Sequence, residues 1–335
     1  MHNQSALDLY YMLQELDLQG AKIDQVYQYE QKFFVIRLHK SGQGKKELAI
    51  CLPDALFLTE FRPSAPQATS FCLYLRKKLS GSFVDSVTQL GFDRRILFTC
   101  KRFDSYMYLI LELFDKGNLI LCSKNEKGDF IIESAAQQQV WSDRTIKKGE
   151  VYAFEPRPFA HELTKERFEE LVFENNTEQL DENTKQRAIA SKLGLGGWYA
   201  KLVEPTYEGV CSLFTKQLSP HLHGSRVVPF AIDSTSQPLE SMSAGFDQQF
   251  EKEQAQEQKP KEHPQLKKLR AIIQAQTKQQ EQLEKTIEQS TQIGEYIYAN
   301  FETVQEILQS AKLKKKHPLI KKQDGFTVQV QTESE

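Results

Sequence analysis

An adjacent acid and guanidinium, Asp93-Arg94, follow Gly91-Phe92 and precede the run Arg95-Ile96-Leu97-Phe98. In a tight turn the two side chains could point together. The Arg would engage a phosphate through two parallel N–H bonds, and the Asp would accept from a ribose hydroxyl or a base. The competing reading is a solvated turn with an incidental ion pair. Nearby, Arg76, Lys77, Lys78, Arg94, Arg95, Lys101 and Arg102 fall within 27 residues, interleaved with Phe71, Tyr74 and Phe103. That is the composition of a surface tracking an RNA backbone, although charged sheet faces are commonly only solvated. Gly194, Gly196 and Gly197 separate two helical patterns. A helix, glycine turn and second helix can hold a nucleic-acid backbone on main-chain N–H groups; a plain αα-turn has the same spacing. Asp8 lies three residues after Ser5, where it complements a helix N-terminus.

Other chemistries lack their residues. His221 and His223 have no acidic or Cys companion at ligand spacing, so they read as part of a surface loop and no metal site is expected. No phosphate-binding loop, dinucleotide fingerprint or Gly-x-Ser-x-Gly elbow occurs. Gly194-Leu195-Gly196-Gly197 is followed by no Lys-Ser or Lys-Thr and preceded by no strand. No catalytic residue and no cofactor are expected. Cys51, Cys72, Cys100, Cys122 and Cys211 are odd in number and form no C-x-x-C pair, which reads as buried free thiols in a reducing compartment.

The elements that must position these residues fall into two styles. Leu9, Met12, Leu13 and Leu16 follow Ser5 at helical spacing. Gln25–Tyr29, Lys32–His39 and Lys46–Leu52 read as strands, the last two joined by Ser41-Gly42-Gln43-Gly44. Phe71–Leu79 reads as a helix stopped by Gly81, and Val84–Leu90, Arg95–Arg102, Tyr106–Phe114 and Asn118–Cys122 read as four more strands. Asp115-Lys116-Gly117 is a hairpin turn. An α+β domain on antiparallel sheets is predicted over residues 1–158, ending near Pro156 and Pro158. Leu163–Glu174, Asn183–Leu193 and Trp198–Val203 read as helices of a second module, 159–245, with a strand at Arg226–Ala231 inside a loop, Ser219–Ser243.

A polar, Gln-rich bridge, 246–264, precedes the clearest periodicity. Alternating steps of three and four residues from Leu266 to Ala311 meet an apolar residue at ten of fourteen positions, a coiled-coil seam. A continuous coiled-coil arm is expected over 265–316, and its seam from Leu266 to Ala311 would reach roughly 70 Å. It cannot bury its seam alone, so a partner is expected. Gln276, Gln280, Ser290 and Gly294 weaken its centre. Residues 317–335 read as a tail or the start of another domain, with a strand-like run at Phe326–Gln331.

The 335 residues suffice for two domains and an extended element, and 39% hydrophobic residues with 21 Phe can fill a sizeable core. Net charge is −2, so overall charge does not itself point to nucleic acid; the lysines clustered over 312–322 show that local patches decide. No basic-then-apolar leader opens the chain and no apolar stretch approaches ~18 residues, so a cytosolic protein outside the membrane is expected.

Six stretches, in order, resemble the NFACT family, also called fibronectin-binding-protein-A-like. They are Ala6-Leu7-Asp8-Leu9-Tyr10 with Gly20–Tyr27; Phe71-Cys72-Leu73-Tyr74-Leu75-Arg76-Lys77; Gln89-Leu90-Gly91-Phe92-Asp93-Arg94; Glu112–Leu121, in its archaeal and eukaryotic version; Leu193–Ala200; and Gly294–Phe301. The resemblance implies a first domain like the N-terminal domain of formamidopyrimidine-type DNA glycosylases, then a helix-two-turn-helix module and a coiled coil. Those glycosylases use an N-terminal Pro beside Glu; this chain begins Met1-His2, so base excision is not expected. The resemblance also implies a job: binding large ribosomal subunits obstructed by peptidyl-tRNA and recruiting tRNA, commonly alanyl-tRNA, to extend the nascent chain without mRNA. Asp8, Asp93 and Arg94 match the family's functionally required acid and Asp-Arg pair, and so are implied to bind tRNA. Family members continue to a middle domain, a returning arm and a second globular domain, so the seam's partner is expected from such a C-terminal half or from another chain. The alternatives are an adhesin-like or scaffolding protein and a glycosylase-derived nucleic-acid-binding module.

Overall fold

The computed structural model describes residues 2–61, 69–140, 144–174, 180–257, 264–313, 315–324 and 327–330. Two compact units follow one another, residues 1–257 and 258–335.

In the first unit a helix, α1 (Ala6–Glu15), precedes β1 (Lys22–Tyr29), β2 (Phe33–Lys40), β3 (Gly44–Cys51) and β4 (Ala55–Leu58). Then come α2 (Ser70–Leu79), β5 (Phe83–Gln89), β6 (Arg95–Arg102), β7 (Ser105–Glu112), β8 (Asn118–Lys124) and β9 (Phe130–Ala135). All nine strands form one antiparallel sheet in the order β4-β3-β2-β1-β5-β6-β7-β8-β9. The join between β1 and β5 is a single residue pair, Lys22 opposite Phe83. There the sheet folds on itself. Ile23, Ile36, Leu38 and Leu48 of one half line the same tiny void as Val84, Phe98, Cys100 and Leu109 of the other, as in two packed sheet faces. The mixed α+β class predicted from the strand and helix patterns is therefore the observed one.

The opposite face of the second half has its own small core of Ile110, Ile120, Cys122, Ile132, Ile146 and Tyr152. It is closed by β10 (Gln139–Val140), β11 (Thr145–Ile146) and the segment that follows. After these come α3 (Lys165–Phe173), α4 (Glu182–Lys192), α5 (Gly197–Ala200) and α6 (Tyr207–Ser212). A small sheet of β12 (His221–His223), β13 (Arg226–Val228) and β14 (Gln237–Pro238) leads to α7 (Met242–Glu257). The helices of 165–212 do not build a separate core. One apolar cluster runs from Ala6 to Phe250, and the Tyr11 hydroxyl donates to the Leu213 carbonyl at 2.6 Å.

Two expectations change here. Residues 246–257, read as part of a polar bridge, are helical, and the first turns of this stretch pack on the sheet. Met242, Phe246 and Phe250, four residues apart, are buried against Phe57 and its neighbours. The Glu15 carboxylate accepts from the N–H groups of Met242 (2.6 Å) and Ser243 (2.8 Å), closing this helix's N-terminus. The Gln and Glu residues on the exposed side hid the stripe. Residues 258–263 of the expected bridge lie outside the described residues.

The second unit contains α8 (Pro264–Ala299), α9 (Phe301–Lys312) and a hairpin of β15 (Ile320–Asp324) with β16 (Thr327–Val330). The single continuous arm expected from the periodicity is thus broken at Asn300, whose φ of −115° and ψ of 34° leave the helical region. Along α8 the seam residues Leu269, Ile273, Leu283, Ile287 and Ile297 are exposed. The side chain of Leu266, together with Lys314, Phe326 and Gln331, lies outside the described residues. Cys51, Cys72, Cys100 and Cys122 are buried, Cys211 is half-buried, and all five are free thiols.

Candidate nucleic-acid interface

The turn between β5 and β6 carries Asp93 and Arg94, and its shape follows from Gly91. This glycine has φ +68°, and a side chain there would strike the Arg157 carbonyl at 2.6 Å and Pro156 Cβ at 2.8 Å. The close approach lets the Phe92 N–H donate to the Arg157 carbonyl at 2.7 Å and seats the Phe92 ring among Phe159 and Phe214. Gln89 then ties two elements together: its amide donates to the Ala6 carbonyl at 2.9 Å and to the Asp93 carbonyl at 2.7 Å. The turn is thereby held against the first turn of α1.

Arg94 is half-buried, not a solvated turn residue. Its Nη2 donates to the Pro53 carbonyl at 2.9 Å. Pro53 is in turn approached by Gly117 of the β7–β8 hairpin, where a Cβ would meet Pro53 Cα at 2.8 Å. Burial lowers the guanidinium's pKa, and the carboxylates of Asp54, Asp93 and Asp8 act in the opposite direction. Neither Nε nor Nη1 has a hydrogen-bond partner among the described residues. Arg94 is a cation held in place by one bond, with further donors unused.

Asp93 is differently employed. Its Oδ1 accepts from the Arg94 N–H at 2.7 Å and its Oδ2 is paired with Arg95. Arg95 also reaches Glu112 and lies 4.6 Å from the Phe114 ring centroid; Arg144 and the Tyr152 hydroxyl converge on the same Glu112. Both Asp93 oxygens therefore already shape the turn and hold Arg95.

Asp8 is 1% exposed. The reading as an N-terminal complement is observed: Ser5 caps α1, Asp8 N–H donates to Ser5 Oγ at 3.1 Å, and Asp8 Oδ2 accepts from Ser5 N–H and Oγ, both at 2.8 Å. Its other oxygen accepts from the Tyr199 hydroxyl of α5. Burial raises the Asp8 carboxyl, while Tyr199, Ser5 and the Arg226 charge pull it back down. Burial and the Asp8 charge push the Tyr199 hydroxyl well up. The Arg226 guanidinium lies 4.8 Å from the ring centroid of neighbouring Trp198.

The glycine turn packs beside the same loop. Gly194, φ +77°, lies so close that a Cβ would meet Arg157 Nη1 at 2.7 Å and the Phe92 carbonyl at 3.4 Å. Gly196, φ +80°, is the N-cap of α5, and Gly197 opens that helix. Asp8, Asp93, Arg94 and the turn of Gly194, Gly196 and Gly197, spread over 190 residues of sequence, thus belong to one neighbourhood. Tyr199, Gln89 and Arg157 join them. Gln89 and Tyr199 lie in the family-like stretches but have no role assigned from sequence, and Arg157 carries no sequence signal.

The remaining cations do not gather there. Arg76 donates to the Val26 carbonyl at 2.6 Å and lies over Tyr27. Lys77 is exposed on α2 and Lys78 lies over Tyr74. Lys101 and Arg102 are exposed at the far end of β6, about 23 Å along the strand from Arg95 at ~3.3 Å per residue. Among the described residues no cluster of His, Cys, Asp and Glu could hold a metal ion, and no helix is long and apolar enough to cross a membrane.

Residues 5–324 match the sequence profile of the NFACT N-terminal and middle domains. The chain is 29% identical over 221 residues to ribosome quality control complex subunit 2 of Saccharomyces cerevisiae, covering 64% of this chain and 19% of that protein. It is 23% identical over 317 residues to the archaeal Rqc2 homolog aRqcH of Methanocaldococcus jannaschii, covering 82% and 46%. It is 34% identical over 120 residues to the human ribosome quality control complex subunit NEMF, covering 35% and 11%. The chain thus spans less than half the length of these curated relatives. In fold it is similar to the N-terminal region of the fibronectin/fibrinogen-binding protein of Streptococcus suis, with a TM-score of 0.59 at 20% identity, covering 74% of this chain and 99% of that one. With the profile spanning nearly its whole length, this chain belongs to the NFACT family.

Proposed function

We propose that this chain acts in ribosome quality control in the cytoplasm, binding tRNA on large ribosomal subunits obstructed by peptidyl-tRNA. In this reading it supports mRNA-independent extension of the stalled nascent chain, with alanyl-tRNA as the recruited species. It catalyses no reaction itself and takes no cofactor. Relatives named as ribosome quality control subunits support the setting. The observation that carries the reading is Arg94: a half-buried guanidinium with unused donors, fixed by Pro53, on a loop whose Phe92 carbonyl the glycine turn approaches. Such a group is pre-organised for a phosphate. Asp93 and Asp8 serve the site by shaping it, Asp93 through Arg94 and Arg95, Asp8 through Tyr199. The exposed seam of α8 takes a partner helix from a C-terminal segment or another chain.

The test is co-sedimentation of the purified chain with large subunits that carry peptidyl-tRNA and with empty ones. Preferential pelleting with the occupied subunits, lost in Arg94→Ala at unchanged melting temperature, is the expected result. Equal binding to both kinds of subunit, or full binding by the variant, would overturn the reading.

A further inference from the structure

The far end of the outer sheet face is left bare by the small core that covers the rest of it, and an ordered row of side chains stands there. The register places Lys22 of β1 opposite Phe83 of β5, Phe83 opposite Lys101 of β6, and Lys101 opposite Tyr106 of β7. Paired residues of antiparallel strands point to the same face. Cation and ring therefore alternate along one row across four neighbouring strands, and all four residues are exposed. Lys101 Nζ lies 5.4 Å from the Tyr106 ring centroid. The pattern continues on β8 and β9, where exposed Lys124 lies 4.8 Å from the centroids of both Tyr108 and Phe130. At the tip of the β6–β7 hairpin Phe103 is 85% exposed, next to exposed Arg102.

The charges of this row are available. Among the described residues no carboxylate pairs with Lys22, Lys101, Arg102 or Lys124. The face is not uniformly basic, since Asp85 is exposed on β5 and, after burial and Tyr106, helps push the Tyr108 hydroxyl up. A purely acidic protein partner would gain from the lysines but would leave the rings unused. Rings on alternate strands stand about 9.6 Å apart, twice the ~4.8 Å strand spacing. Bases stacked in a duplex repeat at ~3.4 Å, so a duplex cannot place successive bases on these rings, whereas an extended strand with splayed bases can.

We propose that this row is a stacking platform for unpaired RNA. Bases lie on Phe83 and Tyr106, with Phe103 at the tip, and the intervening phosphates lie on Lys22, Lys101 and Lys124. The inference rests on the reading of the chain as an RNA-bound ribosomal factor, and adds the form of RNA and a second surface, at the other end of β6 from Arg94.

The test uses the whole chain and fluorescence anisotropy with a labelled oligouridine and a labelled RNA duplex of equal length, each over a series of salt concentrations. The single strand is expected to bind more tightly than the duplex. Phe83→Ala with Tyr106→Ala should weaken it by roughly tenfold per ring and leave the salt slope unchanged. Lys101→Gln with Lys124→Gln should lower the slope of log affinity against log salt by about 0.7 per lysine. The ring-preserving pair Phe83→Tyr and Tyr106→Phe should bind as the parent does, separating loss of stacking from misfolding. Equal or tighter duplex binding, neutral alanine variants, or displacement by polyglutamate as efficient as by RNA would each overturn the platform. Co-sedimentation of Arg94→Ala with occupied subunits runs alongside. Lost sedimentation there with neutral ring variants refutes the platform and leaves the proposed function standing. Intact sedimentation with ring-dependent oligouridine binding does the reverse.

Discussion

The two ends of β6 carry cations of opposite kinds. At its start, Arg94 and Arg95 are half-buried and bonded to the Pro53 carbonyl, Asp93 and Glu112. At its end, Lys101 and Arg102 are exposed, and Lys101 has an aromatic ring as neighbour in place of a carboxylate. Seven residues separate positions that do different physical work. An enclosed guanidinium acts by geometry and local field, which salt screens little; an exposed lysine acts by releasing counterions, which salt suppresses. A count of basic residues in this stretch cannot tell the two apart.

The comparison breaks most readily at Gly91. Adding a methyl there meets backbone at 2.6 Å in a left-handed conformation, so Gly91→Ala should cost about 3 kcal/mol or more. Urea denaturation would measure it, and a cost below ~1 kcal/mol would mean the turn is not anchored as described. Next in size is Arg94→Ala, which should weaken binding to occupied large subunits by roughly ten- to a hundredfold, the value of a lost charge-assisted bond. Arg94→Lys should recover little, because an ammonium lacks the planar fork; full recovery would show that charge alone matters at this end.

Tyr199→Phe should cost about 2 kcal/mol, since it strips a buried carboxylate oxygen of its donor. The sign of its pH dependence can be stated. Burial holds the folded Asp8 carboxyl above its ordinary 3.8, so the folded state binds the proton more tightly. Asp8's contribution to stability is fullest below 3.8 and falls as pH rises through the folded value. Losing the Tyr199 donor raises that value further. The difference in unfolding free energy between parent and Tyr199→Phe should therefore be larger at neutral pH than near pH 4; the opposite trend would remove Asp8 from the account. The smallest effect belongs to the exposed end. Arg102→Gln should change stability by less than about 0.5 kcal/mol while reducing the salt slope of RNA binding by about 0.7 to 0.9. An unchanged slope would place Arg102 outside any RNA contact.

Much of the scaffold was legible before the structure. The strands at 95–102 and 118–122, the helix ending at Leu79 and the hairpin turn at Gly117 follow from alternation, capping and glycine chemistry, which are local signals. β4, β9, α6 and α7 were not read. The first two are short or interrupted in pattern, and α7 hides three core residues among Gln and Glu. The break at Asn300 was missed because the apolar spacing runs through it unchanged, while the backbone conformation at one residue does not alter periodicity.

The candidate site divides along the same line. Residue order alone determined that Asp93-Arg94 sits in a turn between strands, that Asp8 complements a helix start capped by Ser5, and that glycines separate α4 from α5. Each depends on neighbours within a few positions. Only the tertiary structure decided that Asp8 is buried under Tyr199, 191 residues away, and that Arg94 is held by Pro53, 41 residues before it. It also decided that Arg76 and Arg95 turn inward while Lys101 stands in a row with Phe83 and Tyr106. A side chain's partner across such separations depends on which strands lie side by side and how tightly the glycines let them approach, and that is settled by the packing of the whole core.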